Sequence, residues 1–508
     1  MTATRPRYTT ISELLSAGQD DAIALSASGR TSLDYAGLRR MVQTNHTMLN
    51  RMGLGPNDRI ALVLQNGPEM VGAFLSVAAL ATACPLNPGY RAEEFEFYLN
   101  DLKVRAIVID ASSPPVAREV AARLGIECID VVPNAAAGDV SFAAASVGPE
   151  VRTGQATDED LALILHTSGT TSRPKLVPLS QLNVVASACN VRDSLELSED
   201  DVGLEIMPLF HIHGLIAGLL APLAAGGTVF VAPGFNALKF FGLMKEARPT
   251  WYTAVPTMHQ AILARAPNNL DIVRSHPLRF LRSSSASIPP QVIRELESTF
   301  GAPLIEAYGM TEAAHQMTSN PLPPGARRPG SVGRAAGPEV AIMNMSGSLL
   351  DTGETGEIVI RGANVTKGYE ANPVANGEAF TAGWFRTGDE GSLDEAGYLS
   401  ITGRLKEIIC RGGEKISPRE IDEILLDHPS VAQVVTFALP HAMLGEEVAC
   451  AVVLKMPGQS TEKELRAFVA ARAADFKVPK KIVMLEEIPK GATGKVQRIG
   501  LAKKLGLA

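Results

Sequence analysis

Runs of apolar residues alternate with amphipathic stretches through most of the chain. The run at 59–66 (RIALVLQN) precedes the helical pattern GPEMVGAFLSVAALATA, and 104–110 (VRAIVID) precedes PPVAREVAARLG. The pattern repeats at 278–283 (LRFLRS), followed by PPQVIRELESTFG. Near-continuous apolar strands separated by amphipathic helices predict mostly parallel sheets covered on both faces. From residue 380 onward the texture changes to Gly-rich, charged sequence with short alternating strands. The last hundred or so residues then mix helix and strand in α+β proportions. One uncharged stretch, 214–235 (GLIAGLLAPLAAGGTVFVAPGF), is long enough to suggest a membrane span. Pro222, the Gly226–Gly227 pair and Pro233 divide it, so it predicts a buried helix, a turn and a strand instead.

Composition narrows the class. A chain of 508 residues exceeds one hydrophobic core, so at least two domains are expected. With 46% hydrophobic and 20% charged residues it has the balance of a globular protein. A net charge of −7 with no block of like charge argues against a nucleic-acid surface. Cys84, Cys128, Cys189, Cys410 and Cys450 form no C-x-x-C pair, which suits a reducing, cytoplasmic setting. The start, MTATRPRYTT, lacks the apolar core of a secretory signal, and the end, KKLGLA, lacks a peroxisomal tripeptide; both fit that expectation.

The chemistry gathers after the apolar run at 161–165 (LALIL), in the stretch 166–178, HTSGTTSRPKLVP. Hydroxyls and freely turning backbone N–H groups at a strand end suit polyanionic phosphate, and Lys175 adds a positive charge. A flexible polar linker has the same composition. Neither G-x-x-x-x-G-K-[ST] nor a strand-borne G-x-G-x-x-G is present.

The order T-S-G-T-T-x-x-P-K resembles the phosphate loop of the adenylate-forming superfamily of acyl-CoA synthetases, luciferases and peptide-synthetase adenylation domains. Further motifs follow in family order: EAYGMTE at 306–312, GWFRTGD at 383–389, GRLKEIICRGGEKISPREI at 403–421 and PKGATGKVQR at 489–498. The resemblance implies an α/β protein. Residues 1–403 would be a large N-terminal domain of doubly covered, mostly parallel sheets with a β-rich subdomain. Residues 404–508 would be a small, mobile α+β domain.

It also implies roles. Thr167, Ser168, Gly169, Thr170, Thr171 and Lys175 would hold the β- and γ-phosphates of ATP. Glu312 would take Mg²⁺ and Thr311 would contact the α-phosphate. Tyr308 would stack on adenine, lined by Ser285, Ala286, Ser287, Glu306 and Ala307. Asp389 would accept the ribose hydroxyls, supported by Arg404. Lys495 would bridge the acid's carboxylate and the α-phosphate. Lys406 would be the hinge, and Arg411, Gly412 and Gly413 would line the CoA arm's path. Taken singly, each of these has an ordinary reading as a surface charge, core aromatic or hairpin turn.

The acid is read from His211, His213, Arg282, Ser284 and His315. A fatty tail asks for an apolar pocket. Imidazoles, a guanidinium and hydroxyls instead suit a second carboxylate, unless these side chains face away. TSGTTSRPK, TWYTAVPTMHQ (250–260), RSSSAS, TEAAHQMTSNPLP and GANVTKGY (362–369) are similar to the oxalate–CoA ligase branch, with Ser172 and Leu176 where Gly is usual at the loop. The expectation is an acid–CoA ligase for oxalate, with malonate or a short- or medium-chain fatty acid as the alternative. The partners expected are the acid, ATP and CoA, with no nucleic acid and no membrane span, in a monomer or homodimer. An amino-acid-activating domain finds no Asp for an α-amino group, a luciferase-like monooxygenase shares the motifs, and a lipid-handling protein would use 214–235.

Overall fold

The computed structural model describes residues 7–144, 154–167, 174–489 and 497–508. Two large sheets are parallel in their interiors and antiparallel at their edges. In the first, of seven strands, Arg59–Leu62 lies between Thr82–Pro85 and Ala106–Ile109, all parallel. The hairpin Leu161–His166 with Leu176–Ser180 closes one edge. In the second, of nine strands, Thr228–Val231, Val202–Glu205, Trp251–Ala254, Phe280–Ser283 and Leu304–Met310 run parallel. The last of these turns back, antiparallel, into His315–Ser319.

Buried strands covered on both faces explain the unbroken apolar runs: all four residues of Ala106–Ile109, Trp251–Ala254 and Phe280–Ser283 are buried. The helix Pro290–Phe300 shows the complementary pattern. Proline opens it, Ile293, Leu296 and Phe300 are buried at helical spacing, and Gly301 ends it at φ 64°. The largest core packs both sheets against helices Tyr35–Arg51, Pro68–Ala78 and Gln181–Ser194.

The uncharged stretch is core, as its breaks predict. Gly214–Leu220 is a fully buried π-helical turn, and Thr228–Val231 is a sheet strand. Among the described residues no helix is long and apolar enough to cross a membrane.

A third sheet is antiparallel: Glu339–Met343, Thr355–Arg361, Trp384–Leu393, Phe380–Thr381 and Leu399–Arg404. It begins at Glu339, upstream of the texture change at residue 380. The Thr355–Arg361 strand is buried over four successive residues, so its pattern imitates a parallel strand. The short turn Leu405–Glu407 leads into a fourth sheet, built from Ile409–Arg411, Glu414–Ile416, Val431–His441, Gly445–Leu454 and Lys481–Met484. Helices Pro418–Leu426 and Glu462–Ala470 cover it and share its separate core.

Candidate active site

The second sheet's parallel strands carry Arg282 and Tyr308 toward their carboxyl ends, where open α/β sheets bind ligands, while Lys175 adjoins the first sheet and Asp389 and Arg404 lie on the third. The described residues on either side of the hydroxyl-rich stretch, Leu161–His166 and Leu176–Ser180, pair as antiparallel strands. His166 pairs with Leu176. Thr167 N–H donates to the Lys175 carbonyl at 2.9 Å, and Lys175 N–H donates to Thr167 Oγ1 at 3.4 Å. Ser168, Gly169, Thr170 and Thr171 lie outside the described residues, as does Lys495. Below the hairpin, His166 Nε2 meets Asp101 Oδ2 at 3.0 Å.

Lys175 Nζ sits 4.3 Å from the centroid of the Tyr369 ring, and Tyr369 Oη donates to Glu312 Oε1 at 2.8 Å. Glu312 is buried. Burial lifts its carboxyl above the ordinary range, while hydrogen bonds from its own backbone and from Tyr369, and the charges of Arg404 and Lys175, act to lower it. Thr366 ties the ensemble together: its N–H donates to the Glu312 carbonyl at 2.7 Å, and its hydroxyl to the Pro178 carbonyl at 2.7 Å. Thr311 opens the short turn that carries Glu312.

Asp389 and Arg404 face each other across paired strands, and Arg404 Nε donates to Asp389 Oδ1 at 2.9 Å. The other carboxylate oxygen accepts from Tyr308 Oη at 2.5 Å. Each Asp389 oxygen thus already receives one donor, leaving further lone pairs for hydroxyls. Glu306 is buried beside them. Desolvation pushes its carboxyl up to about 8, against hydrogen bonding from the Gly330 backbone and the charge of Arg419. Ala307 starts the hairpin opposite Ser319, and Ala286 and Ser287 are exposed.

Ser285, expected to line the base, also meets the predicted acid-binding residues. Held at φ 72°, it places Oγ 3.0 Å from His213 Nδ1, in the histidine–arginine cluster. The centre of that cluster is Arg282, fully buried at the end of Phe280–Ser283. Its Nη1 lies 3.3 Å from both Thr253 Oγ1 and His213 Nε2. Its Nη2 lies 3.1 Å from both His315 Nε2 and Gln316 Oε1. A guanidinium only donates, so His213 accepts at Nε2 and its Nδ1–H points to Ser285. The two imidazoles stack with centroids 4.8 Å apart.

Among the described residues no carboxylate forms an ion pair with Arg282, and burial pushes its pKa down to about 9. Ser284 is buried, and its Oγ finds no partner among the described residues. His211 instead packs on Phe210, at 4.5 Å between ring centroids. The cluster depends on a close backbone approach: a Cβ at Gly309 would lie 1.5 Å from the His315 carbonyl oxygen.

Sequence reasoning assigned no role to Tyr369, Thr253, His259 or Gln316. All four stand in segments that carried the resemblance. His259 Nε2 donates to the Arg282 carbonyl at 3.1 Å, and its Nδ1 accepts from Tyr252 Oη at 3.2 Å. Gln316 lies in a fully buried strand, where nothing in the pattern distinguishes it.

On the fourth sheet, Gly412 and Gly413 (φ 59° and 96°) make the two-residue turn between Ile409–Arg411 and Glu414–Ile416. Arg411 Nε donates to Glu447 Oε1 at 2.6 Å, and Gly412 N–H donates to the Leu444 carbonyl at 2.9 Å. Lys406 lies in the Leu405–Glu407 turn. Arg498, the last residue of the PKGATGKVQR motif, pairs with Glu407 at 3.2 Å and with Asp422.

Residues 15–370 match the AMP-binding enzyme family, and residues 420–495 match the AMP-binding enzyme C-terminal domain. The chain belongs to the AMP-binding enzyme family, and its fold is that of the adenylate-forming enzymes. It is 46% identical over 489 residues to the oxalate–CoA ligase of Arabidopsis thaliana, covering 94% of each chain. It is 40% identical to the oxalate–CoA ligase of Saccharomyces cerevisiae, over 95% of this chain and 94% of that one. The crystal structure of ATP-bound MatB from Rhodopseudomonas palustris superposes with a TM-score of 0.87 at 30% identity, over 98% of both chains.

Proposed function

We propose that the protein is an AMP-forming acid–CoA ligase and that its acid is oxalate. The observation that carries the choice of acid is Arg282: a buried guanidinium, flanked by two imidazoles and given no counter-ion by the described residues. A buried unpaired cation is costly, and a carboxylate supplied by the ligand offsets that cost. The two named oxalate–CoA ligase relatives support the same reading.

In this reading one carboxylate oxygen attacks the α-phosphorus of ATP, and the bond to the bridging oxygen breaks to release pyrophosphate. The CoA sulfur then attacks the acyl carbon, AMP leaves with the mixed-anhydride oxygen, and the thiol proton passes to solvent. Thr167–Thr171 and Lys175 hold the β- and γ-phosphates, with Thr311 at the α-phosphate, so that negative charge builds up among donors and cations. Tyr308 and Glu306–Ala307 serve the base, and Asp389 with Arg404 the ribose. Among the described residues no three metal-type ligands cluster. A single buried carboxylate, Glu312, suits Mg²⁺, which takes one or two protein carboxylates and completes its shell with phosphate oxygens and water. Lys495 neutralises the attacking carboxylate and the α-phosphate together.

The division falls between residues 403 and 404, with rotation at Lys406 bringing first Lys495 and then the Arg411–Gly413 turn to the adenylate. Every group invoked comes from one chain, so a monomer or homodimer suffices. Five unpaired thiols favour the cytoplasm.

The test is a panel of oxalate, malonate, acetate and octanoate scored by ATP- and CoA-dependent AMP release. Oxalate should be the fastest. Equal or faster turnover of octanoate would overturn the two-carboxylate pocket, and faster malonate would reassign the acid.

A further inference from the structure

Among the described residues Arg282 is held in place without being neutralised, and the way this is done singles out Gln316. All four side-chain atoms facing the guanidinium nitrogens belong to groups that carry no negative charge: Thr253 Oγ1, His213 Nε2, His315 Nε2 and Gln316 Oε1. Gln316 is completely buried. Its amide cannot turn round, because three acceptors crowd the other side. Nε2 donates to Ser194 Oγ at 2.9 Å, to the Asn190 carbonyl at 3.1 Å and to the Ala336 carbonyl at 3.4 Å. Only Oε1 remains for Arg282 Nη2, at 3.1 Å. The helix Gln181–Ser194 thereby orients the amide, and the amide orients the guanidinium. A glutamate is the same size as glutamine and would reach the same nitrogen, but as an internal counter-ion.

We propose that Gln316 is a specificity-determining positioning residue: it fixes Arg282 while leaving its charge to be met by the substrate's second carboxylate. This rests on the reading of Arg282 as the acid-binding cation. Gln316 touches neither the reacting carboxylate nor the phosphates, so it acts on the affinity for the acid and leaves the chemical step alone. The reason the position is an amide is competitive: an ionised side chain there would occupy the ligand's place electrostatically before any ligand arrived.

The test compares Gln316→Glu with Gln316→Met in the full chain, by steady-state AMP release with oxalate and with acetate, and by thermal denaturation. Both variants lose the Nε2 donors; the glutamate adds a negative charge beside Arg282 and also sets its second oxygen against the Asn190 and Ala336 carbonyls, which the melting curves register. Gln316→Glu should raise the KM for oxalate roughly 100-fold with kcat within a few-fold, as expected when a buried cation gains an internal partner. Gln316→Met should raise it less than about tenfold, in keeping with the loss of one neutral hydrogen bond. An equal KM rise in the two variants, or a Gln316→Glu chain that uses oxalate like the wild type, would overturn the proposal. A Gln316→Glu chain that fails to fold where Gln316→Met folds would also count against it, because Arg282 would then not have taken up the carboxylate. Failure of the underlying reading looks different: wild-type protein would then use acetate as well as oxalate, whatever the variants do.

Discussion

Tyr369 joins Lys175 of the proposed phosphate loop to the proposed magnesium carboxylate, and replacing it separates two contributions. Tyr369→Phe keeps the ring 4.3 Å beneath Lys175 Nζ and deletes the hydroxyl that donates to Glu312 at 2.8 Å. A hydrogen bond to an ionised partner contributes about 1.5–3 kcal/mol, or about 10- to 150-fold in rate if it is fully expressed in the transition state. The loss should be large because Glu312 is 7% exposed and no solvent replaces the donor. Tyr369→Leu also removes the face on which the lysine rests, costing a further ~0.5–2 kcal/mol. The assay is pyrophosphate release in the adenylation half-reaction, titrated with Mg²⁺, with thermal denaturation run alongside. The phenylalanine variant should be slower and require more Mg²⁺, and the leucine variant slower again. Turnover within threefold of wild type at unchanged Mg²⁺ demand would refute the link between Tyr369 and Glu312. Identical rates for the two variants would refute the lysine–ring contact as a functional one.

Two further outcomes follow from burial and close contact. Desolvation holds the Glu306 carboxyl at about 8 in the folded chain. Between the ordinary carboxylate range and that value the folded state keeps a proton that the unfolded state has lost. Stability therefore falls as pH rises through this window, by roughly 1.4 kcal/mol per pH unit at most. Glu306→Gln should match wild type below the window and melt higher above it; parallel melting curves against pH would refute this. Gly309→Ala would force a methyl to within 1.5 Å of a backbone oxygen that cannot move aside. A loss of several kcal/mol is expected, in the range of severe core disruption, and an unchanged melting temperature would contradict the described hairpin.

Strand and helix positions were legible because burial on both faces leaves unbroken apolar runs, as at Phe280–Ser283, and because proline and glycine mark helix ends, as at Pro290 and Gly301. The hydroxyl-rich stretch and the residues around Tyr308, Glu312 and Asp389 were legible as ordered motifs. Contacts between distant segments were not. Tyr369 reaches Glu312 across 57 positions, and Arg282 reaches Gln316 across 34, and no local periodicity encodes such pairings. The contact of Ser285 with His213, made from a left-handed backbone at φ 72°, was likewise not legible. The antiparallel sheet starting at Glu339 was hidden by strands as apolar as parallel ones.

Arg498 stands three residues beyond Lys495 and is bolted by its two pairs to Glu407, next to the proposed pivot, and to Asp422 on the Pro418–Leu426 helix. The described tail from Gln497 onward is thereby fastened to the lobe that carries Asp422. A twist at the proposed pivot Lys406 would carry Arg498 round with that lobe, much as a key's bow turns its bit.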